Sequence, residues 1–376
     1  MANGFCTAIL KQLAETGISD PAKKVSQLGF LQMLFCCQDG SINGLNDGFA
    51  NGHKRNLSVW YRERFSDSII SDTMPACDTG NNLPRKEFTL PALQTSAASL
   101  YFSVDDIRNY CADASAPTQI GRKTIMRDMY DQITNAMFRV LEDIDRKLVA
   151  SMSTQFGTNI VTGSDAETVI TYDPAKAFAD VIKKLILDQQ ENEFCADACI
   201  VGNGGITTLD FEAAIAAVTS AAGINMQALY GLLPRVFRDN NTRTAWGANQ
   251  FGVFEKGSLA LLNYPQYVNN FDQKLANTDY FQAMLPVDEI ICPQDCLDTM
   301  QFDISVREID CPTTMTINGA QTTVDRGYQV VISKQYQLFV KPDLYAAGDS
   351  LSGTNGTLRY ELEEAAPAGG GTEEDA

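Results

Sequence analysis

Residues 122–155 read RKTIMRDMYDQITNAMFRVLEDIDRKLVASMSTQ, and the rest of the chain is organised around them. Met126, Met129, Ile133, Met137, Val140, Ile144, Leu148 and Met152 recur three or four apart, and the run holds neither Pro nor Gly. That spacing predicts one long amphipathic helix. Arg127/Asp131, Glu142/Arg146 and Asp143/Lys147 stand one turn apart on its polar side. Each such pair contributes only roughly 0.2–0.5 kcal/mol, so the apolar stripe has to hold the helix in place. Pro117 and Thr118 mark the start, with Thr118 as the cap, and Gly157 marks the stop. At about 1.5 Å per residue the helix spans roughly 50 Å, long for a compact domain. It needs something extended to lie against.

The chain has 376 residues, enough for two or three compact domains with a real core. Its 29 basic and 47 acidic residues give a net charge of −18, which argues against a nucleic-acid-binding protein. The N-terminal MANGFCTAILKQLAETG lacks the basic-then-apolar pattern of a signal peptide, and no run of about eighteen apolar residues predicts a membrane span. Synthesis and residence in a cytoplasm, without a membrane partner, is the expectation. The ten cysteines are scattered without a secretory context and read as buried thiols rather than a disulfide framework. Cys195/Cys199 and Cys292/Cys296 share a C-x3-C spacing. Four thiolates can bind zinc, but C-x2-C is the commoner clasp and no histidine lies nearby, so small core residues are the preferred reading.

Residues 1–56 have the composition of an arm. Phe5, Ile9, Leu10 and Leu13, then Val25, Leu28, Leu31, Leu34 and Phe35, form two short amphipathic segments split by Gly17 and Asp20-Pro21. Neither buries its own apolar face, so each must pack on the rest of the chain or on a neighbouring subunit. LSVWYRERF (57–65) alternates like a strand and carries Arg62 and Arg64, and LPALQTSAASLYFSVDDI (90–107) is strand-like near its end. Two strands around some thirty irregular residues predict a long projecting hairpin over about 57–104, a loop of the kind that persists only with a function. After the long helix, Asp173-Pro174 opens a helix that buries Phe178, Val181, Ile182, Leu185 and Ile186. A strand at 198–201, a helix over about 208–221 and another over about 226–237 complete an α/β block. From Gly252 the composition is mostly that of strands, with Asn318-Gly319 as a tight hairpin turn and an acidic, disordered tail over 365–376.

No constellation of catalytic residues emerges. His53, the one histidine, lies beside Lys54-Arg55 and reads as a solvated junction residue. Gly348-Asp349-Ser350-Leu351 spells the first block of the GDSL esterases, but no histidine follows to activate Ser350, and Gly-Asp-Ser is ordinary turn material. Gly202-Asn203-Gly204-Gly205 lies between a strand and a helix, yet position 207 is Thr207 and no Walker lysine is present. Trp60, Tyr61, Arg62 and Arg64 are residue types that anchor protein–protein contacts, and at a net charge of −18 that reading is preferred to base stacking. These four, with Phe5, Leu31 and Phe35 of the arm, are the candidate inter-subunit contacts. Catalytic, cofactor-binding and metal residues are assigned to none.

The order of elements resembles the major capsid protein of tailed bacteriophages, the Hong Kong 97-type fold. Arm, projecting loop, very long helix, compact α/β block and β-rich return follow one another, and Phe254–Tyr264 and Gly353–Tyr360 are phrased like phage capsid chains. The resemblance implies an α+β fold. Residues 1–56 would be the arm and 57–104 the extended loop. Residues 105–165 and 263–364 would form a peripheral domain of spine helix and β-sheet, and 166–262 an axial domain. It implies a non-enzymatic shell protein that assembles with itself into pentamers and hexamers, with scaffolding protein and portal as further partners. Packaged double-stranded DNA would be enclosed without sequence-specific binding. The location implied is the virion capsid, assembled in the host cytoplasm. An acidic wall agrees with this, because it repels both host nucleic acid and packaged DNA. The alternatives are an encapsulin-like shell or another virion protein, and an α/β enzyme built on 166–262.

Overall fold

The computed structural model describes residues 28–36, 58–62, 86–89, 93–103, 119–172, 179–194, 198–203, 235–264, 278–286, 299–309, 312–324, 326–345 and 347–364. Phe5, His53, Arg64, Thr118, Asp173-Pro174, Cys195, Cys292, Cys296 and the 365–376 tail lie outside them. The described elements begin with α1 (Gly29–Cys36), β1 (Ser58–Tyr61), β2 (Lys86–Thr89), β3 (Gln94–Ser103) and α2 (Gln119–Met152). Next come β4 (Thr168–Tyr172), α3 (Ala179–Glu191), β5 (Ala198–Gly202), β6 (Arg235–Arg238), α4 (Asn241–Ala245), β7 (Gln250–Glu255) and β8 (Leu259–Tyr264). The chain continues with β9 (Thr278–Pro286), β10 (Thr299–Ile309), β11 (Thr313–Ile317), β12 (Ala320–Val324), β13 (Gly327–Val340) and β14 (Thr357–Glu364). The fold is mixed α and β, with sheets predominating.

The long helix is continuous over 34 residues. Ile133, Met137, Val140, Ile144, Leu148 and Met152 are all buried, as their spacing requires, and so are Ala136, Phe138, Leu141 and Val149. The buried stripe is wider than one face because α2 is covered on two sides: β3 and β13 lie along one, and α1 with α4 along another. On the polar side Lys147 pairs with Asp143 at 2.6 Å, as its spacing predicts. Arg146 also turns to Asp143 instead of Glu142, and Glu142 is taken by Arg139 at 2.6 Å.

Two five-stranded sheets frame the molecule. The first runs β3-β13-β10-β9 and is antiparallel, with β8 also on β13. Its inner side chains, among them Phe102, Phe302, Ile304, Ile332, Tyr336 and Leu338, join α1 and α2 in the larger core. The second runs β4-β14-β7-β5-β6 and is mixed, with β4/β14 and β5/β6 parallel. One face carries α3 over Ile170, Ile200, Phe251, Val253, Leu358 and Tyr360, and of the residues expected to anchor α3, Val181, Ile182 and Leu185 are buried.

Strand pairing departs from the sequence expectation at several points. β3, expected as the second strand of the projecting loop, pairs along its whole length with β13, and the loop closes earlier, on Lys86–Thr89. β14, expected to close the sheet beside the long helix, pairs with β7 and β4 in the second sheet. β8, expected in the α/β block, joins β13. Arg235–Arg238, expected as a helix end, is a strand parallel to β5, as suits a short run following Pro234. Cys199, expected as a free thiol, is buried and disulfide-bonded, because nearness in the fold rather than spacing in the chain decides which sulfurs meet.

Candidate functional site

Of the candidate contact residues, Trp60 and Tyr61 lie on β1, opposite Glu87 and Lys86 of β2, and Arg62 is exposed just beyond. Among the described residues this two-stranded sheet pairs with nothing else. Leu31 and Phe35 lie elsewhere. They are buried in the chain's own core at 0% and 6% exposure, so α1 packs on its own chain.

The seat of α1 is the most elaborate polar arrangement in the described structure. Leu28 forms a bridge to Asp239, and Gly29 rests directly on the backbone of Arg238. The Phe30 N–H donates to Asp239 Oδ2 and the Leu31 N–H to Asp145 Oδ1, each at 2.9 Å. Two first-turn N–H groups that lack intrahelical partners are thereby satisfied by carboxylates. Asn241 ties the acids together: its N–H donates to Asp239 Oδ1 at 2.8 Å and its Nδ2 to Asp145 Oδ2 at 2.7 Å. Asp145 and Asp239 are both 0% exposed and are bridged by Asn241. Burial pushes Asp145 well above the usual carboxylate range, and repulsion from Asp239 adds to it. Burial likewise raises Asp239. Leu28, Asn240 and Asn241 also line an open cleft of about 460 Å³ with Arg139, Glu142, Asp143 and Arg146 of α2.

Along the same cleft Asp143 accepts from Ser96 Oγ at 2.7 Å and pairs with Lys147 and Arg146. Partial burial opposes its ionisation, yet these partners hold its pKa down to about 2. Lys334 of β13 is buried at 1% exposure in the first sheet, and burial pulls its ammonium down to about 8 against the opposing pull of Asp303. Neither residue belongs to a motif that chain spacing reveals. The esterase-like Gly348–Leu351 is a turn with Ser350 exposed and Asp349 accepting from the Leu351 N–H, as expected of turn material. Among the described residues no three His, Cys, Asp or Glu side chains are placed to hold a metal ion, and no helix is long and apolar enough to cross a membrane.

A second free hairpin is formed by β11 and β12, which pair only with each other among the described residues. Asn318 (φ 50°) and Gly319 (φ 81°) give it the left-handed turn predicted from Asn-Gly. Residues 312–324 contain no charged side chain and are largely exposed.

Comparison with solved structures bears on the fold. A chain of the cyanophage A-1(L) capsid asymmetric unit superposes with a TM-score of 0.50 at 12% identity, covering 89% of this chain and 93% of that one. The two chains share a fold. A chain from Mycobacterium phage Adephagia gives a TM-score of 0.45 at 8% identity, covering 84% of this chain and 88% of that one. A chain from the capsid structure of cyanophage P-SCSP1u gives 0.41 at 11%, covering 84% and 85%. No family model matches the sequence, and no curated protein matches it.

Proposed function

We propose that this chain is a major capsid protein of the Hong Kong 97 type, a structural and non-enzymatic subunit that assembles with itself into the icosahedral shell of a tailed phage around double-stranded DNA. The observation that carries the proposal is the fold shared with the cyanophage A-1(L) capsid chain over nearly the whole of both chains. The physics of the subunit supports it. Two two-stranded sheets that pair with no other strand among the described residues, β1-β2 and β11-β12, suit a protein that finishes folding its periphery against neighbours. Copies that each carry −18 repel one another unless they meet through neutral or complementary surfaces, and the uncharged β11-β12 hairpin is such a surface. The division into arm, extended loop, peripheral domain and axial domain, with scaffolding protein and portal as partners, belongs to the same proposal.

Negative-stain microscopy tests it. The purified protein, alone or co-expressed with a scaffolding partner, is expected to form rings or closed shells. Compact monomers under both conditions overturn the proposal. The loop is tested separately. The triple variant W60A/R62A/R64A is expected to keep the far-UV circular dichroism of the parent while losing most of its assembled fraction, because aromatic and arginine anchors dominate interface energies. Normal assembly of that variant removes the loop from the interface.

A further inference from the structure

We propose that the arm helix α1 is latched to its subunit by a proton shared between Asp145 and Asp239, so that rising pH releases the arm. The geometry requires the proton. All four carboxylate oxygens accept an N–H, from Phe30, Leu31 and twice from Asn241, and both acids are fully buried on that one asparagine. Two negative charges held this close in a buried site without an ion pair cannot both persist, so one acid is protonated while α1 is docked.

The surroundings make the singly charged pair the stable one. One negative charge is matched by the start of α1 and the N–H groups aimed at it. A second would sit against the first without an ion pair to balance it. From α2 the nearby charged groups are Arg139, Glu142, Asp143 and Arg146, from β6 Arg235 and Arg238, from α4 Arg243 and from β7 Glu255, while α1, β5 and β8 carry none. Arg139 and Arg146 are exposed and engaged with Glu142 and Asp143. Among the described residues neither Asp145 nor Asp239 has an ion pair. Two bare like charges in a buried site repel strongly, and undocking α1 relieves them. Asn241, which holds both acids, lines the open cleft, so the pair lies one side chain from solvent.

The direction follows from linkage. The pair titrates as a unit whose second proton leaves above the ordinary carboxylate range, because burial and mutual repulsion raise it. The docked state is therefore fully favoured below the unfolded carboxylate value and loses that stability as pH rises through the raised one.

The substitution D145N tests this, since an amide keeps an acceptor for the Leu31 N–H and supplies a permanent N–H in place of the shared proton. In the full-length chain, amide exchange of the segment from Phe30 to Phe35 is expected to match between parent and D145N at about pH 6. At about pH 9 the parent should exchange roughly tenfold faster or more. The chain has two tryptophans, and in a W60F background the remaining one, Trp246, packs edge-on against Phe30 at 6.1 Å. Its emission should shift to the red with pH in W60F and stay fixed in W60F/D145N. A parent-to-variant exchange ratio that is the same at both pH values, or an emission shift present in both proteins, overturns the proposal. If D145N fails to fold by circular dichroism, D239N offers the same amide from the other side and is judged by the same two readouts.

Discussion

Gly29→Ala detaches the arm helix. A Cβ at position 29 would lie 2.1 Å from the carbonyl oxygen of Arg238 and 2.3 Å from its carbonyl carbon, well inside contact distance. Both are backbone atoms of β6, which is fixed by its parallel pairing with β5, so the strand cannot yield as a flexible side chain would. Relief has to come from α1 moving away, and that breaks the Leu28–Asp239 bridge and draws the Phe30 and Leu31 N–H groups off their carboxylates. The expected loss of stability is about 3 kcal/mol, the upper end of ordinary overpacking, read as a fall in denaturation midpoint together with a red shift of Trp246 emission. Gly163→Ala is the control. Gly163 has a left-handed φ of 67° but nothing within 4 Å of a built Cβ, so alanine there costs only the backbone preference, about 1 kcal/mol. Equal losses from the two substitutions contradict the close approach at Gly29.

The parts of this fold that were legible in the sequence are those governed by local periodicity. The stripe from Met126 to Met152 predicts a helix over 122–155, and the structure has one over Gln119–Met152. Asn318-Gly319 predicts a hairpin because the turn is chosen by the two residues in it. Strand partners are a different kind of information. Nothing within TLRYELEE shows that β14 lies between β4 and β7 rather than beside β13, since alternation sets which side chains share a face but not which strand lies alongside. β3 is the same case: its composition reads as a strand, and only the long-range register with β13 takes it out of the hairpin that the sequence predicts.

The clasp on α1 was not legible for a related reason. Asp145 and Asp239 stand far apart in the chain, belong to no motif, and are joined by Asn241 only in three dimensions. One signal was present. Asp145 sits between Leu141 and Val149 at helical spacing, with Ile144 and Leu148 beside it, so a carboxylate occupies the apolar flank of a helix and has to be matched by something buried. The arm residues Leu31 and Phe35 show the limit from the other side. An amphipathic segment too short to bury its own face has to be covered, but its sequence does not say by which chain, and here the cover is α2 with the two sheets of the same chain.

Phe254→Ala is expected to have the largest effect of any single truncation, because that ring joins α1, β7, the end of α2 and Trp246 in one aromatic cluster. Phe254 belongs to β7 of the second sheet and is 1% exposed. It meets Phe30 of α1 edge-on at 5.7 Å, stacks on Phe156 just beyond α2 at 5.8 Å, and lies 6.2 Å from Trp246 after α4. Gly252 leaves the room for this cluster: a Cβ there would lie 2.5 Å from the Phe254 ring and 3.2 Å from that of Phe156. Removing the ring opens a cavity walled by rigid aromatic groups and backbone, which collapses poorly, so the cost is set at about 4–5 kcal/mol, the upper part of the range for buried Phe to Ala. Calorimetry or denaturant unfolding measures it. The double variant F30A/F254A should lose less than the sum of the two single losses, because both substitutions empty the same space. F254A also separates packing from protonation. It loosens α1 by removing apolar contact, so exchange of the Phe30–Phe35 amides should accelerate by a similar factor at every pH, whereas the shared proton of Asp145 and Asp239 acts only as pH rises. A loss below about 2 kcal/mol with unchanged exchange in α1 means that the arm helix is held by its carboxylate clasp and not by this aromatic junction.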